Sequence, residues 1–490
     1  MTTAETPSVP IPHPSYDRTG LTAGIMHIGV GNFHRAHQAA VIDQLLEKGL
    51  ARDFAICGVG VLPGDRHMRD ILREQDGLYL LELRHPDGQR EQRIVGSIID
   101  YLYLPDDPGA VIEKMASPST RIVSLTITEG GYNTDFTTNT FDVDNPDVQH
   151  DVEHPDRPGT VFGLVVEALS RRRAAGDVPF TVMSCDNVPM NGDVTRNALV
   201  SFAALRDPAL ATWIAEQVAF PNSMVDRITP ATTDSDRVHV RSQLSVDDAW
   251  PVAAEPFFQW VIEDAFTAGR PPFEQAGVQI VDDVAPYELM KLRLLNGSHQ
   301  ALAYFGALAG YEFVEEAMAD PDLVRFLEKY MSEVLPTVPA VPGIDLQEYR
   351  TVLVERFSNP AIRDTLARLC ADSSNRIPKF VVPSILENLE AGRPAELGAA
   401  VLASWARYAT GIDESRTAIP LADVNAAERS HAADLERSDP GAFVRDARLF
   451  GPLASHGEFV SMFHSTFTTL VNDGARATYQ RLAHTVTPGE

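Results

Sequence analysis

The chain has 490 residues, a formal net charge of −27 at pH 7 and 44% hydrophobic residues. This length is enough for two domains, and the hydrophobic content supports sizeable packed cores. The strong acidity argues against a nucleic-acid partner, because binding to phosphates needs a basic surface.

The three cysteines, Cys57, Cys185 and Cys370, have neither paired spacing nor a CxxC motif. This pattern indicates a reducing compartment and argues against a thiolate zinc site. The Pro-rich, polar stretch up to Tyr16 lacks the pattern of a signal peptide, and no apolar run is long enough to span a bilayer. We therefore expect a cytoplasmic protein without a membrane partner.

Short apolar runs alternate with helical patterns in the first half of the chain. The predicted strands are 24–28, 54–59, 121–127 and 180–184, the predicted helices are 36–48 and 160–173, and 78–84 with 92–99 form a predicted hairpin. Strands that alternate with helices are typical of a largely parallel sheet. The fold class is thus predicted as α/β, with a Rossmann-like doubly wound N-terminal domain over residues 1–284.

The pattern changes at about residue 285, after which helical signals dominate. The predicted helices are 289–305, 322–334, 361–371, 384–390, 397–409 and 457–482. This predicts a mainly α-helical C-terminal domain over residues 285–490, with the functional site in the cleft between the two domains.

Two glycines follow the first predicted strand. Gly29 would permit a tight turn, and Gly31 would let backbone N–H groups approach a pyrophosphate at a helix N-terminus. The third glycine of the usual dinucleotide fingerprint is replaced by His34. An ordinary turn between a strand and a helix therefore remains an alternative.

Asp65 follows the second predicted strand. A carboxylate there would accept hydrogen bonds from ribose hydroxyls and repel a 2′-phosphate, which favours NAD over NADP. Asp65 lies 36 positions beyond Gly29, further than is usual. A solvated loop aspartate is the equally weighted alternative.

A polar set occupies the predicted helix that begins the second half. In a regular α-helix, Glu288, Asn296 and His299 would all lie within roughly 140° of Lys291 around the axis. Burying such groups costs free energy unless they bind each other or a ligand. The alternative is a helix whose polar side faces solvent.

This set suits the oxidation of an alcohol. A lysine held away from water has a lowered pKa and can take the hydroxyl proton, and carboxamide N–H groups can stabilise the resulting alkoxide. Asn296 is one candidate donor, and Asn187, directly after a predicted strand, is another.

Four segments together resemble a known family: residues 29–38 (GVGNFHRAHQ), 128–132 (TEGGY), 184–187 (SCDN) and 291–299 (KLRLLNGSH). They are similar to the polyol-specific long-chain dehydrogenases, the mannitol dehydrogenase family. This family includes mannitol 2-dehydrogenase, other hexitol and pentitol dehydrogenases, and fructuronate and tagaturonate reductases. The resemblance implies a Rossmann-like domain, a helical domain, NAD as cofactor and no metal.

The resemblance also implies roles for individual residues. Lys291 would be the general acid/base, Asn187 and Asn296 would form the oxyanion hole, His299 would bind substrate, and Glu288 would relay protons. The implied cofactor-binding residues are Gly29, Gly31, Asn32, Phe33 and Glu129, and the position of Asp65 after the second predicted strand adds that carboxylate to the set. The implied substrate-binding residues are Asp226, Arg368 and Arg376, with a surface salt bridge as the alternative for each arginine.

The subclass is indicated by residues 129–133 and 148–151, which are most similar to mannitol 2-dehydrogenases. Uronate reductases of the family usually carry a lysine in place of Gly130. The expected activity is reversible oxidation of D-mannitol to D-fructose with NAD by a monomer or weak oligomer. Alternatives are D-arabinitol, D-sorbitol or a hexuronate as substrate, an NAD-dependent sugar isomerase, and a cofactor-binding sensor without turnover.

Other motifs carry less weight. His34 and His37 have a spacing that could bind a metal ion, but no third ligand has a matching context, so we predict no metal site. A Tyr-x-x-x-Lys motif, which a tyrosine-based mechanism would need, does not follow a suitable strand.

Overall fold

The structure is a computed structural model that describes residues 11–135, 140–244 and 246–485. Within these ranges the strands are β1 Ala23–Ile28, β2 Ala55–Gly60, β3 Tyr79–Arg84, β4 Arg90–Val95, β5 Ile98–Tyr103, β6 Ile122–Leu125, β7 Thr134–Asp135, β8 Thr140–Phe141, β9 Thr181–Ser184, β10 Ser223–Asp226, β11 Val252–Ala254, β12 Gln259–Glu263 and β13 Gln279–Val281.

The main sheet has five parallel strands in the order β5-β2-β1-β6-β9. β2 and then β5 lie on one side of β1, whereas β6 and then β9 lie on its other side. This reversal creates a switch point between β1 and β6, where open α/β sheets bind ligands. β1 is buried along its whole length, as expected for a parallel strand covered on both faces. The predicted α/β class with a Rossmann-like N-terminal domain is confirmed.

Helices cover the sheet. They are α1 Asn32–Ala36, α2 Gln38–Glu47, α3 Asp65–Glu74, α4 Pro108–Ala116, α5 Pro146–Glu153, α6 Val161–Ala175, α7 Asn191–Arg206, α8 Pro208–Gln217 and α9 Asp234–Gln243. Three of them begin at an Asp-Pro or Asn-Pro pair, after Asp107, Asn145 and Asp207, whose side chains each accept a first-turn N–H. The acceptor satisfies a donor that the helix cannot, and proline suits the first helical position.

Two predictions for this region were wrong in detail. The predicted helix 36–48 corresponds to α2, but Ala36 instead ends α1, and the two helices are separated at His37, whose ring packs against Phe258 and Trp260. The predicted hairpin is formed by β3 and β4, but its second arm stops at Val95 because β5 leaves the hairpin and joins the main sheet beside β2.

The second half is helical. Its α-helices are α10 Ala285–Met290, α11 Gly297–Leu308, α12 Val314–Met318, α13 Pro321–Val334, α14 Leu346–Phe357, α15 Leu366–Cys370, α16 Ser373–Phe380, α17 Val382–Glu390, α18 Glu396–Tyr408, α19 Ala426–Glu436, α20 Ala447–Phe450 and α21 Gly457–His484. The predicted helical content is confirmed, although the predicted helix 361–371 is helical only in α15.

Helix α11 is the centre of this second half. All but one of its residues are buried, and α13, α15, α18 and α21 pack around it. The residues from Ala301 to Leu308 are small, aliphatic or aromatic, as suits a helix packed on nearly every side, whereas Ser298, His299 and Gln300 are buried polar residues in its first turn.

The contacts divide the chain into two compact units, Met1–Ala285 and Pro286–Glu490. Among the described helices, none combines the length and the apolar character that crossing a membrane would require.

Candidate functional site

The turn after β1 requires glycine at its first position. Gly29 has φ +96°, and a Cβ there would lie 2.1 Å from the backbone oxygen of Thr126. The Thr126 hydroxyl also donates to the Gly29 oxygen at 2.7 Å. No other residue type fits this approach of the β1 turn to the β6 turn.

Gly31 differs from Gly29, because the described residues do not demand glycine there. A Cβ at Gly31 would meet nothing nearer than the Gly29 oxygen at 3.9 Å. Gly31 is exposed directly before α1, whose first N–H groups have no acceptor within the helix. The open space beside Gly31 fits a phosphate group that approaches the backbone.

The side chain of Asn32 already has partners within the first unit. Its Nδ2 donates to the Pro230 oxygen at 3.1 Å and to Thr232 Oγ1 at 2.9 Å. Its Oδ1 accepts from Arg35 at 2.8 Å and from the Trp250 indole at 3.1 Å. The predicted cofactor role of Asn32 is therefore limited to its backbone, because the amide ties the glycine turn to the 230–250 region.

Phe33, also predicted to bind cofactor, is half-buried with its ring centroid 4.9 Å from that of His37. The Nε2 of His37 lies 3.2 Å from the Gln259 oxygen, which accounts for this histidine without a metal. No group of three or more His, Cys, Asp or Glu side chains that could hold a metal ion occurs in residues 11–135, 140–244 and 246–485.

Two stacked histidines lie beneath the glycine turn. The rings of His27 and His34 are parallel within 9°, with centroids 3.3 Å apart. His27 contacts the hydroxyls of Ser124 and Thr126 at 2.8 and 2.9 Å. Burial lowers the pKa of His27 to about 3 and also lowers the pKa of His34 well below its ordinary value. Sequence reasoning considered His34 as the residue that replaces the third fingerprint glycine and as a possible metal ligand, but it missed the stack with His27.

This stack predicts that acid destabilises the first unit. Below pH 6.5 the unfolded chain binds protons that folded His27 cannot bind, so the free energy of unfolding falls by up to about 1.4 kcal/mol per pH unit. Amide exchange of β1 between pH 6.5 and 5 should show this loss, and His27→Gln should reduce its slope. His67→Gln, at an exposed histidine, is the control. An identical slope in His27→Gln would contradict the assignment.

Asp65 is the first residue of α3, which differs from the solvated loop aspartate considered as the alternative above. Its Oδ2 accepts from the N–H groups of Val61 and Leu62 at 2.8 and 2.9 Å. The carboxylate therefore shapes the turn after β2. It lies at the carboxyl end of β2, where a ribose-binding carboxylate is expected.

A second pair of turns meets at the carboxyl ends of β6 and β9. Glu129 is exposed in the first, and Asn187 is exposed in the second. Between them lies the buried carboxylate of Asp186, which accepts from the N–H groups of Ile127 and Thr128 at 3.1 and 2.8 Å. Burial raises the pKa of Asp186 to about 6. Sequence reasoning missed Asp186, because its partners are distant backbone groups.

Asp226 ends β10 and is buried, with 6% of its surface exposed. The neighbouring Arg227 donates to the backbone oxygens of Ala36, Glu255 and Pro256. Arg227 thus fixes the chain at the end of β10, and Asp226 stays a predicted substrate residue.

In the second unit, the predicted helix 289–305 is helical throughout, but it is not a regular α-helix. A π-helical segment, Lys291–Asn296, separates α10 from α11. A π turn closes hydrogen bonds between residues five apart, and such turns are frequent at functional sites. Lys291 and Asn296 therefore lie about one turn apart, closer in phase than a regular α-helix would place them.

The π segment is anchored from both sides. Arg293 pairs with the Glu387 carboxylate, at 2.9 Å for one bond, and donates to the Thr337 oxygen. Next, Gly297 faces Tyr330, whose hydroxyl would be 2.8 Å from a Cβ at that position. These contacts hold the backbone that carries Lys291.

The predicted polar set is buried. Glu288, Lys291 and His299 each have 8% of their surface exposed, and Asn296 has 7%. The His299 ring lies 4.4 Å from the Phe357 ring. Among the described residues, the Nδ2 group of Asn296 has no hydrogen-bond partner although it is buried. A buried amide donor without a partner is costly, and a ligand oxygen would satisfy it. The alternative of a solvent-facing helix is thus wrong.

The two predicted substrate arginines already have partners. Arg368 is 55% exposed and binds Asp364 through two hydrogen bonds, one of 2.6 Å, which is the surface salt bridge considered above. Arg376 donates to the backbone oxygens of Arg368 and Leu369 at 3.0 and 3.2 Å. The pair with Asp364 uses the Nε and Nη2 groups of Arg368, and the role of Arg368 in binding substrate stays a prediction.

A buried network that sequence reasoning missed connects this segment to α11. Gln300 donates to the Leu369 oxygen at 3.2 Å, and Tyr304 donates to Gln300 at 2.6 Å. The Tyr304 hydroxyl also contacts Ser373 Oγ at 2.6 Å. Since Gln300 follows His299, the network fixes α15 and α16 relative to the predicted site.

Comparisons with known proteins identify the family. Residues 23–275 match the mannitol dehydrogenase Rossmann domain, and residues 283–471 match the mannitol dehydrogenase C-terminal domain. The chain is 46% identical over 475 residues to mannitol 2-dehydrogenase of Phaeosphaeria nodorum, covering 96% of this chain and 83% of that protein. The chain belongs to the mannitol dehydrogenase family, which confirms the predicted resemblance.

Two solved structures are similar over nearly the full length. Pseudomonas fluorescens mannitol 2-dehydrogenase, in a ternary complex with NAD and D-mannitol, has 46% identity, a TM-score of 0.88 and 97% coverage of both chains. D-sorbitol dehydrogenase in substrate-free form has 39% identity and a TM-score of 0.89, covering 96% of this chain and 98% of that chain.

Proposed function

We propose that this protein catalyses the NAD-dependent, reversible oxidation of D-mannitol to D-fructose. The observation that carries the proposal is the buried, unpartnered Nδ2 of Asn296 on the same π turn as buried Lys291. Oxidation of an alcohol requires a base that takes the hydroxyl proton and a hydrogen-bond donor to the oxygen that becomes negatively charged. Lys291 and the Asn296 amide can supply these two groups. Similarity to proteins named mannitol 2-dehydrogenase supports the choice of substrate.

The first unit fits the cofactor. The open space at Gly31 and the forced glycine turn at Gly29 lie at the switch point of the sheet, where the backbone can receive a pyrophosphate. We propose Gly29, Gly31, the backbone of Asn32 and Phe33, Asp65 and Glu129 as the residues that hold NAD. When bound, NAD supplies the acceptor for the hydrogen that leaves carbon.

The second unit supplies the acid–base chemistry. Lys291 takes the hydroxyl proton during oxidation and returns it during reduction, while Asn296 Nδ2 donates to the oxygen as negative charge develops. For Asn187, carried by the first unit, we propose the role of a further amide donor. Glu288, one turn before Lys291, relays the proton. His299, Asp226, Arg368 and Arg376 are the proposed polyol-binding residues.

The activity is tested by NADH formation with a panel of D-mannitol, D-sorbitol, D-arabinitol and uronate-derived substrates. D-Mannitol should have the highest kcat/KM. A preference for D-sorbitol, the second candidate because of the similar D-sorbitol dehydrogenase, would keep the chemistry and change the substrate. No NADH formation with any polyol and no NADH consumption with any ketose or uronate would refute the proposal and favour the isomerase or sensor alternatives.

Asp65→Asn tests the choice of cofactor without breaking the turn. Asparagine Oδ1 can still accept from the N–H groups of Val61 and Leu62, while the charge that repels a 2′-phosphate is lost. We expect the ratio of kcat/KM for NADP to that for NAD to rise about tenfold or more. Asp70→Asn, at an exposed carboxylate of the same helix, is the control. An unchanged ratio would remove Asp65 from the cofactor site.

We further propose a reducing, cytoplasmic location, which three buried cysteines with free thiols support. The proposed state is a monomer or weak oligomer, to be measured by sedimentation.

A further inference from the structure

One carboxylate joins the two turns that carry Glu129 and Asn187. The Oδ2 atom of Asp186 accepts from the Ile127 N–H at 3.1 Å and from the Tyr132 hydroxyl at 2.8 Å, and Oδ1 accepts from the Thr128 N–H at 2.8 Å. Asp186 is 7% exposed and directly precedes Asn187 in the chain. All three donors come from the turn after β6, whereas the acceptor comes from the turn after β9.

The backbone that Asp186 holds is strained. Thr128 has φ +58° and ψ 169°, a conformation that is populated almost only by glycine. For a β-branched residue it is a true outlier, which persists only when surrounding contacts impose it. Glu129 follows Thr128 directly, so the backbone conformation of Thr128 sets the position of the Glu129 Cα from which its side chain extends.

Further hydrogen bonds fix the backbone of Asp186 and the Tyr132 hydroxyl, and the number of donors to the Asp186 side chain requires a carboxylate. The Asp186 N–H donates to Ser184 Oγ at 3.2 Å, and the Asn191 amide donates to the Asp186 backbone oxygen at 3.0 Å. The Tyr132 hydroxyl also contacts Ser184 Oγ at 2.6 Å. Two carboxylate oxygens can accept from three donors, but an amide offers only one oxygen. An asparagine at position 186 must therefore lose at least one of the three bonds.

We propose that Asp186 is a positioning residue: it holds Thr128 in its strained conformation, so that Glu129 and Asn187 are presented from one rigid edge of the sheet. The inference rests on the proposed function, in which Glu129 binds NAD and Asn187 donates to the substrate oxygen. Asp186 acts through the backbone of Ile127 and Thr128. Preorganisation of this kind matters because a small displacement of a binding group costs much of its effect.

The test uses the full-length protein and a rescue variant. Asp186→Asn should weaken NADH binding, followed by fluorescence, and raise the KM for NAD by about tenfold or more. Thr128→Gly removes the strain, because glycine adopts a positive φ readily. The double variant D186N/T128G should therefore recover NADH affinity to within about threefold of the unaltered protein. Tyr132→Phe, which keeps both backbone bonds to Asp186, is the matched control and should change affinity by less than about threefold.

A purely structural role for Asp186 predicts a different result. It would lower the melting temperature and the amount of active protein without raising the KM for NAD, and Thr128→Gly would rescue nothing. Either an unchanged KM in Asp186→Asn or a double variant as impaired as the single one would overturn the proposal.

A second readout does not depend on activity. In cofactor-free protein, Asp186→Asn should accelerate amide exchange of residues 126–132 by about tenfold or more, because at least one of the two bonds that protect Ile127 and Thr128 is lost. Unchanged exchange would overturn the role of Asp186. If the unaltered protein neither binds NADH nor oxidises polyols, the proposed function fails, while this measurement still decides whether Asp186 holds the turn.

Discussion

Lys291→Ala should lower the kcat for D-mannitol oxidation by about 10²–10⁴-fold, because no other group then takes the hydroxyl proton. NADH binding should persist, since the proposed cofactor residues all lie in the first unit. Stopped-flow absorbance at saturating NAD and mannitol measures the loss, and NADH fluorescence measures the binding.

Two controls make this result specific. Lys48→Ala removes an exposed lysine of the first unit and should leave kcat unchanged. Small primary amines added to Lys291→Ala should restore part of the rate if the missing function is proton transfer. Near-normal turnover without any amine would rule out Lys291 as the acid/base.

Asn296→Leu should separate activity from stability. Loss of one preorganised donor to the alkoxide lowers kcat by about 10²–10³-fold. The same substitution removes a buried donor that has no partner, whose cost is about 1–3 kcal/mol. We therefore expect the free energy of unfolding to stay constant or rise while kcat falls.

Asn388→Leu is the matched control in the same unit. Asn388 is 1% exposed, donates to the Glu333 oxygen at 2.9 Å and accepts from Arg393 at 2.8 Å. Because its amide is satisfied, this change should lower stability and leave the catalytic constants near those of the unaltered protein. If Asn296→Leu behaves like Asn388→Leu, Asn296 is a structural residue.

Four of the five strands of the parallel sheet, β1, β2, β6 and β9, could be predicted because both faces of these strands are covered, whereas β5 was not predicted as a strand of this sheet. β1, β6 and β9 are buried throughout, so they read as continuous apolar runs. The three-residue β11 and β13 were not predicted, since such short strands have no recognisable period. The break at His37 coincides with packing of its ring against Phe258 and Trp260, which are distant in the chain and are therefore not part of a local pattern.

The site was predictable where chemistry requires a residue type. Gly29 needs a positive φ, and the buried polar set of the second unit is unusual in any helix. The π segment was not predictable, because α11 is buried on nearly every side and its sequence therefore shows no division into a buried and an exposed face that would reveal an extra residue in the turn. Asp186 gave no local signal, since its backbone partners precede it by 58 and 59 residues. The Arg368–Asp364 pair, four residues apart, could have been read from the sequence.

The π segment has a consequence for protein engineering. Residues after Lys291–Asn296 are out of register with an uninterrupted α-helix that enters through α10. A designer who grafts Glu288, Lys291, Asn296 and His299 onto an ideal helix of 3.6 residues per turn would distribute them around the wrong arc. The grafted segment must therefore include the π-helical backbone, a small residue at the position of Gly297 and an equivalent of the Arg293 anchor. The arrangement of the four side chains depends on this backbone.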